Sequence, residues 1–131
     1  MASRPQNERI DWERYISEED LQPYLSDLPP TEAGNVFHSY MENHVEMPGT
    51  DWEGDVYDES GELVGRYDCY DQLGSAVYEF KTKSESGMRR APYPEDIAQL
   101  EGYLEGLDER IGFLVYVDRE TLDVDHYPVL G

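Results

Sequence analysis

Asp68, Glu79 and Lys81 are residue types at spacings that suit the hydrolysis of a phosphodiester. Asp68 lies in one stretch with the alternation of a β-strand, and Glu79 and Lys81 lie in the next. Side chains alternate along a strand, so Glu79 and Lys81 share a face. If the two strands pair around the turn at 71–75, Asp68 comes close to Glu79. Two converging carboxylates make a site for a hard divalent cation, so the sequence predicts Mg²⁺ or Mn²⁺ here.

Lysine is rare in this chain, and its placement is informative. The sequence contains 30 Asp and Glu residues against 10 Lys and Arg, and its two lysines are Lys81 and Lys83. A lysine beside a bound cation can hold a water or hydroxide for attack on a phosphodiester and neutralise charge on the phosphorane. A compact ammonium can lose a proton and be tuned by its surroundings, which a guanidinium does less readily. Lys81 is therefore the predicted catalytic cation.

Periodicity and turn residues predict the elements that carry these side chains. The expected order is ααβββαββ, an α/β domain with a central mixed sheet flanked by helices. Residues 1–10 are expected to form a flexible tail, residues 11–131 a single domain, and residues 84–93 a loop. The predicted helices cover 11–30, 32–47 and 94–107, and the predicted strands cover 52–58, 63–71, 75–83, 110–120 and 122–129.

The order Asp68, then Glu79-Phe80-Lys81, resembles the PD-(D/E)xK nuclease superfamily. The stretch "VGRYD" (64–68) is similar to that family's Gly-x-x-Asp approach to its first metal-binding acid. "GNVFH" (34–38) and "QLEGY" (99–103) look like the histidine helix and the Gln-x-x-x-Tyr motif of its RecB-like branch. The resemblance runs from about residue 34 to residue 128. It implies a restriction-endonuclease-like core and a small RecB-like nuclease of the CRISPR-associated exonuclease type, from a halophilic archaeon or its virus.

The resemblance also implies a set of metal ligands. Asp68 and Glu79 would ligate Mg²⁺ or Mn²⁺, joined by the backbone carbonyl of Phe80. His38 would be a further ligand, which makes Mn²⁺ an acceptable ion. Asp68 has the alternative of being one more surface acid, and His38 that of packing on a neighbouring aromatic residue such as Trp52.

Three further residues receive roles from the same resemblance. Lys81 would position the nucleophilic water, while Gln99 and Tyr103 would orient Lys81 or contact the DNA backbone. Gln99 and Tyr103 lie four residues apart on one helical face. Tyr103 has core packing as its alternative, and Lys81 could instead form an exposed ion pair with Glu79, which contributes little to stability.

The remaining cationic and histidine side chains are less specific. Lys83, Arg89 and Arg90 are candidates for contacts with the nucleic-acid backbone, against the alternative that they only solubilise the chain. His44 and His126 are expected to be surface residues.

Cysteine usage excludes several kinds of site. Cys69 is the single cysteine, so an internal disulfide and a cysteine-built zinc or iron–sulfur site are excluded. Many relatives that the resemblance implies carry four cysteines around an iron–sulfur cluster. Ser26 and Asp27 stand where the first of these would be, so no iron–sulfur cluster is expected.

The net charge of −20 has two interpretations. One is a surface for basic partners, including a mimic of nucleic acid. The other is adaptation to molar salt, where the Debye length falls to about 3 Å and self-repulsion is screened. The acids are spread along the chain rather than gathered in a tail, which favours the second interpretation and a high-salt cytoplasm.

Two function classes follow from the sequence. The first is a metal-dependent deoxyribonuclease acting on single strands or duplex ends of DNA, in repair, recombination or processing. The second is a non-catalytic DNA- or protein-binding module on the same fold, including an acidic DNA mimic. A chain of 131 residues has little surface with which to grip DNA, so a homo-oligomer or a protein partner is a further expectation. No apolar run approaches the roughly 18 residues of a membrane span, and no signal peptide is apparent, so no membrane association is expected.

Overall fold

A five-stranded mixed β-sheet with helices packed against it forms the centre of the protein. The computed structural model describes residues 9–16, 21, 25, 27–44 and 49–131. The order of strands in this sheet is β1-β4-β5-β6-β7, and β2 and β3 form a separate two-stranded sheet. The predicted α/β class with a central mixed sheet is confirmed. The strands are β1 Thr50–Trp52, β2 Asp55–Tyr57, β3 Leu63–Arg66, β4 Cys69–Asp71, β5 Ala76–Lys83, β6 Ile111–Asp118 and β7 Val124–Leu130.

Among the described residues, three α-helices with defined bounds flank the sheets. They are α1 Pro30–His44, α2 Glu85–Arg90 and α3 Pro94–Leu107, and a 3₁₀ helix precedes them at Trp12–Tyr15. Pro94 occupies the first turn of α3, where its missing N–H is not needed. Within the described ranges, no helix is long and apolar enough to cross a membrane.

The strand pair β5–β6 organises the core because it is parallel and its crossover runs through α2 and α3. Alternation along β5 directs Tyr78 and Phe80 to one face of the sheet and Val77 to the other. On the first face lie α1 and the 3₁₀ helix, whose Trp12 is fully buried with its ring 4.9 Å from that of Phe80. On the second face lie α3 and the β2–β3 hairpin. Glu79 and Lys81 belong to this second face.

The predicted strand 63–71 is wrong, because the chain divides there into β3 and β4. β3 pairs with β2 in the hairpin, whereas β4 pairs with β1 and β5 in the main sheet. The division lies at Tyr67 and Asp68, whose backbone N–H groups bond to the Gly54 carbonyl and to the Glu79 side chain. The predicted strand 52–58 likewise divides into β1 and β2 on either side of Glu53 and Gly54.

The predicted loop at 84–93 is also wrong, because it contains α2. The Ser84 hydroxyl accepts a hydrogen bond of 3.2 Å from the Gly87 N–H, and Met88 is buried. An N-cap serine with Glu85 in the first turn and two arginines in the last is a sound helix signal. The segment is too short to show helical periodicity.

The structure also revises the N-terminal expectations. Ile10, which the sequence assigned to the tail, is 5 % exposed and donates its backbone N–H to the Tyr78 hydroxyl at 2.8 Å. In the predicted helix 11–30, the described residues form the short 3₁₀ helix and two buried helical positions, Leu21 and Leu25. Residues 1–8 and 17–20 lie outside the described residues.

Candidate active site

The division of the chain at Asp68 leaves a gap in the sheet beside β5. The β4–β5 ladder ends at the pair Cys69 and Tyr78, so the following backbone groups of β5 have no strand partner on that side. Side chains, rather than a neighbouring strand, bond to these backbone groups of β5. The Phe80 N–H donates to Asp68 Oδ2 at 2.7 Å, and the Asp68 N–H donates to Glu79 Oε1 at 2.9 Å. Each carboxylate thus satisfies a backbone donor of the other strand, which holds the two acids together at the end of the ladder.

His38 reaches the same gap from α1. Its helix packs on the sheet through Ala33, Phe37 and Met41, and His38 lies one position beyond that face, toward the gap. Its Nε2 lies 2.8 Å from the Phe80 carbonyl oxygen and 3.4 Å from Asp68 Oδ2. The structure therefore brings together the four predicted ligand groups, and His38 is not merely packed on an aromatic neighbour.

The pKa values of both His38 and Glu79 are raised at the gap. Burial alone would lower the pKa of His38, but the hydrogen bond and charge of Asp68 outweigh it and raise the pKa to about 9. Burial, and then the charge of Asp68, raise the pKa of Glu79 to about 8. The Glu79 side chain is only 4 % exposed. The site thus contains one desolvated carboxyl group, Glu79, beside Asp68, whose side chain is 18 % exposed, and it favours a nearby positive charge, which protonated His38 supplies.

The chemistry of the donor set fits a hard divalent cation. Two carboxylates, a backbone carbonyl and an imidazole are ligands that Mg²⁺ and Mn²⁺ accept. Asp68 and Glu79 each use one oxygen for a backbone N–H and keep a second oxygen outside these bonds. Within the described ranges, no group of three His, Cys, Asp or Glu side chains has the arrangement of a preformed metal site. Ligation would therefore require His38 to exchange its contact with Phe80 and Asp68 for the ion.

Lys81 lies on the other side of the carboxylate pair, where it contacts β5 and α3. Its Nζ donates to Gln99 Oε1 at 3.2 Å and lies 4.0 Å from Glu79 Oε2 and 3.9 Å from Asp96 Oδ1. The side chain is half-buried, so these contacts are only partly screened by solvent. The structure thus places Gln99 in hydrogen-bond contact with Lys81, and its predicted role in orienting the lysine stays a prediction.

Asp96 is a site residue that the sequence reasoning missed. It is 8 % exposed, and its Oδ2 accepts a 2.7 Å hydrogen bond from the Tyr116 hydroxyl. That hydroxyl in turn accepts the Tyr93 N–H at 3.1 Å. A signal was present, because Asp96 lies three residues before Gln99 and so shares its helical face. In a chain with 30 acids, that signal did not stand out.

Tyr103 is both a core residue and a neighbour of the site. It is 3 % exposed, and burial, followed by the charge of Glu79, raises the pKa of its phenol. A Cβ atom at Gly65 would lie 2.7 Å from the Tyr103 hydroxyl oxygen. The glycine of the Gly-x-x-Asp stretch therefore allows this ring to approach β3 just before Asp68.

The other predicted cations lie further along β5 and on α2. Lys83 Nζ lies 4.4 Å from the centre of the Tyr93 ring. Arg89 and Arg90 are exposed in the last turn of α2. Arg89 lines a groove whose other charged lining residues are acidic: Glu13, Glu85, Asp118, Asp123 and Asp125.

The prediction of a surface His126 is wrong. Its side chain is 7 % exposed beneath the N-terminal segment, with Nδ1 2.7 Å from Arg9 Nη1 and 3.3 Å from Glu13 Oε1. Burial lowers the pKa of His126 to about 4. The side chain of His44 lies outside the described residues.

Comparison with known proteins supports the fold. No protein-family model matches the chain, and no curated protein matches it. A crystal structure of a protein named SSO0001 is similar with a TM-score of 0.59 and 22 % sequence identity. The similarity covers 89 % of this chain and 60 % of that one, so this chain spans less than two thirds of the length of SSO0001. At this identity the likeness concerns the fold alone.

Proposed function

We propose that the chain is a metal-dependent deoxyribonuclease of the PD-(D/E)xK type, a RecB-like exonuclease that hydrolyses DNA phosphodiesters in repair, recombination or processing. One observation carries the proposal. Asp68, Glu79 and His38, from two strands and a helix, converge with the Phe80 carbonyl at a gap in the sheet, directly beside Lys81. The backbone hydrogen bonds of Asp68 and Glu79 occupy one oxygen of each carboxylate, and cation binding would give the second oxygens and the adjacent Lys81 a function.

The metal ligands in this proposal are Asp68, Glu79, His38 and the Phe80 carbonyl oxygen. Bound Mn²⁺ or Mg²⁺ would supply Lewis-acid stabilisation of the phosphate and a more acidic water. A metal-ligating imidazole is neutral, so the proton that Asp68 stabilises on His38 must leave when the ion binds. Proton release on metal addition is therefore a property of this site that does not depend on turnover.

Lys81 holds the attacking water against the scissile phosphate. An ammonium has three N–H donors, and Gln99 accepts one of them. Asp96 and Glu79, whose nearest oxygens lie 3.9 and 4.0 Å from the ammonium nitrogen, fix the direction of the Lys81 side chain. The remaining donors are available to the water and to a phosphate oxygen, where charge develops in the transition state.

The acidic surface fits the same proposal in a high-salt cytoplasm. In molar salt, exposed charges further apart than about 3 Å are largely screened, so a chain of net charge −20 can still approach DNA through local cations. A non-catalytic DNA mimic would use the net charge but would assign no function to the carboxylate oxygens of Asp68 and Glu79 that lie outside the backbone hydrogen bonds, or to the adjacent Lys81. The nuclease is therefore the better account of the site.

The test is cleavage of end-labelled single-stranded and duplex DNA in high KCl with Mn²⁺. Wild type is expected to cleave, and EDTA or Asp68→Asn is expected to abolish cleavage. Asp55→Asn is the matched control, because Asp55 is an exposed acid of the β2–β3 hairpin that pairs with Arg66. A folded wild type that cleaves no DNA with Mn²⁺ or Mg²⁺ would overturn the proposal in favour of the binding-module alternative.

A further inference from the structure

Lys83 is a cation whose ammonium packs on an aromatic ring. Its ammonium lies 4.4 Å from the centre of the Tyr93 ring. Within the described part of the chain, no Asp or Glu forms a salt bridge with it, although acids outnumber bases three to one. Lys81, by contrast, lies within 4.0 Å of the carboxylates of Glu79 and Asp96. An aromatic face positions an ammonium without neutralising its charge.

The position of Lys83 is fixed by α2 and by the start of α3. The Tyr93 hydroxyl donates to the Gly87 carbonyl at 2.7 Å, which anchors the ring under the ammonium. A Cβ atom at Gly87 would lie 3.1 Å from Lys83 Cβ and 3.4 Å from the Tyr93 hydroxyl, so glycine makes room for both. The Lys83 carbonyl accepts the Arg119 N–H at 3.0 Å, which fixes the backbone at the end of β5.

Lys83 and Lys81 are spaced like neighbouring phosphates. Both are on β5 and point to one face, because they are two residues apart, and that separation is about 6–7 Å along a strand. Consecutive phosphates of one nucleic-acid strand are separated by a similar distance. Positively charged side chains are the usual partners of backbone phosphates.

We propose that Lys83, held over Tyr93, binds the phosphate adjacent to the scissile one. The substrate class is then a nucleic-acid strand with at least two consecutive phosphates that runs along β5, rather than an isolated diester. This inference rests on the proposed function, because it takes Lys81 as the cation at the scissile phosphate. Arg89 suits the role less well, because it lines an acidic groove.

The first test compares substrates with one and two phosphates, thymidine di- and trinucleotides, in high KCl with Mn²⁺. Lys83→Gln is expected to lower kcat/KM for the trinucleotide about tenfold, mainly through KM, since a hydrogen bond to a charged group is lost. The loss for the dinucleotide is expected to be clearly smaller. Lys83→Arg retains the charge over the ring and should stay close to wild type, whereas Tyr93→Leu should reproduce part of the loss.

Arg110→Gln is the matched control, because it removes one exposed positive charge at the opposite end of the sheet, just before β6. It should behave as wild type on both substrates. Equal losses on both substrates for Lys83→Gln, or the same result for the two glutamine variants, would overturn the subsite.

A second measurement separates failure of the subsite from failure of the proposed function. Fluorescence anisotropy of labelled hexathymidylate in EDTA reports binding without turnover. Lys83→Gln is expected to weaken binding about tenfold and to make the salt dependence shallower by about 0.7 in log K against log salt. If wild type cleaves nothing but shows this difference, the nuclease fails and the phosphate subsite stands. Absent binding by wild type, or an unchanged Kd in the variant, would overturn the subsite.

Discussion

Replacement of Glu79 by glutamine should change how the stability of the protein depends on pH. The pKa of Glu79 is raised from 4.5 to about 8 by burial and by the charge of Asp68. The folded chain therefore keeps a proton that the unfolded chain releases between these values. The free energy of unfolding of the wild type should fall as pH rises from 4.5 to 8, because here the folded state binds more protons.

The size of this change in unfolding free energy follows from the ordinary and the raised pKa of Glu79. The pKa of Glu79 is about 3.5 above the ordinary glutamate value and each unit corresponds to about 1.4 kcal/mol, so complete ionisation costs about 5 kcal/mol, of which on the order of 4 kcal/mol is lost between pH 4.5 and 8. The group is 4 % exposed, so little solvent screening applies. The amide of the glutamine variant would stay neutral and could still accept the Asp68 N–H. Relative to wild type, Glu79→Gln should thus gain on the order of 4 kcal/mol between pH 4.5 and 8.

Guanidinium unfolding of metal-free protein at a series of pH values in constant KCl measures this difference. Glu101→Gln is the control, because it removes an exposed carboxylate on α3 and should leave the pH dependence close to that of wild type. If the free energy of unfolding depended on pH in the same way for wild type and Glu79→Gln, Glu79 would not be a desolvated carboxylate at the gap. Added Mn²⁺ should stabilise wild type at about pH 8 and have much less effect on Glu79→Gln.

Three further outcomes are expected. Lowering KCl from molar to about 0.1 M lengthens the Debye length from about 3 to about 10 Å, so the melting temperature should drop by many degrees; a flat melting temperature would contradict the halophilic surface. Gly65→Ala should destabilise the protein and impair cleavage, because the new Cβ would lie 2.7 Å from the Tyr103 hydroxyl. The control is Gly102→Ala, whose Cβ would lie 3.5 Å from its nearest neighbour, and thermal melting should show it to be neutral or stabilising. Asp96→Asn removes a carboxylate 3.9 Å from the Lys81 ammonium, so it should lower kcat more than it raises KM; an unchanged kcat would remove Asp96 from the site.

Local patterns in the sequence could predict that Asp68, Glu79 and Lys81 meet at the site. Alternation along β5 places Glu79 and Lys81 on one face, and a short connection brings Asp68 back beside them. His38 and Gln99 lie further away along the chain, and their places at the site were predicted from the resemblance. In the structure His38 lies 3.4 Å from Asp68, and Gln99 lies 3.2 Å from Lys81.

The division of the strand at Asp68 could not be predicted in the same way. Residues 63–71 show unbroken strand-like composition, and the division depends on a hydrogen bond from the Asp68 N–H to a side chain eleven residues away. The role of Asp96 depends on Tyr116, twenty residues further on, and no local pattern indicates that pairing. Long-range hydrogen bonds of this kind decide which of many acids is buried, so composition alone did not distinguish Asp96 from its exposed neighbours.

Cleavage of labelled single-stranded DNA by Lys81→Ala, measured with Mn²⁺ affinity in high KCl, tests the central claim most directly. The variant should fold and bind Mn²⁺ nearly as well as wild type, because Asp68, Glu79 and His38 remain. Most cleavage should be lost, and Lys81→Arg should be badly impaired because the shape and proton chemistry of the cation change. Full activity in Lys81→Ala would contradict the proposed mechanism and leave the position of the lysine beside the carboxylate pair without a catalytic meaning.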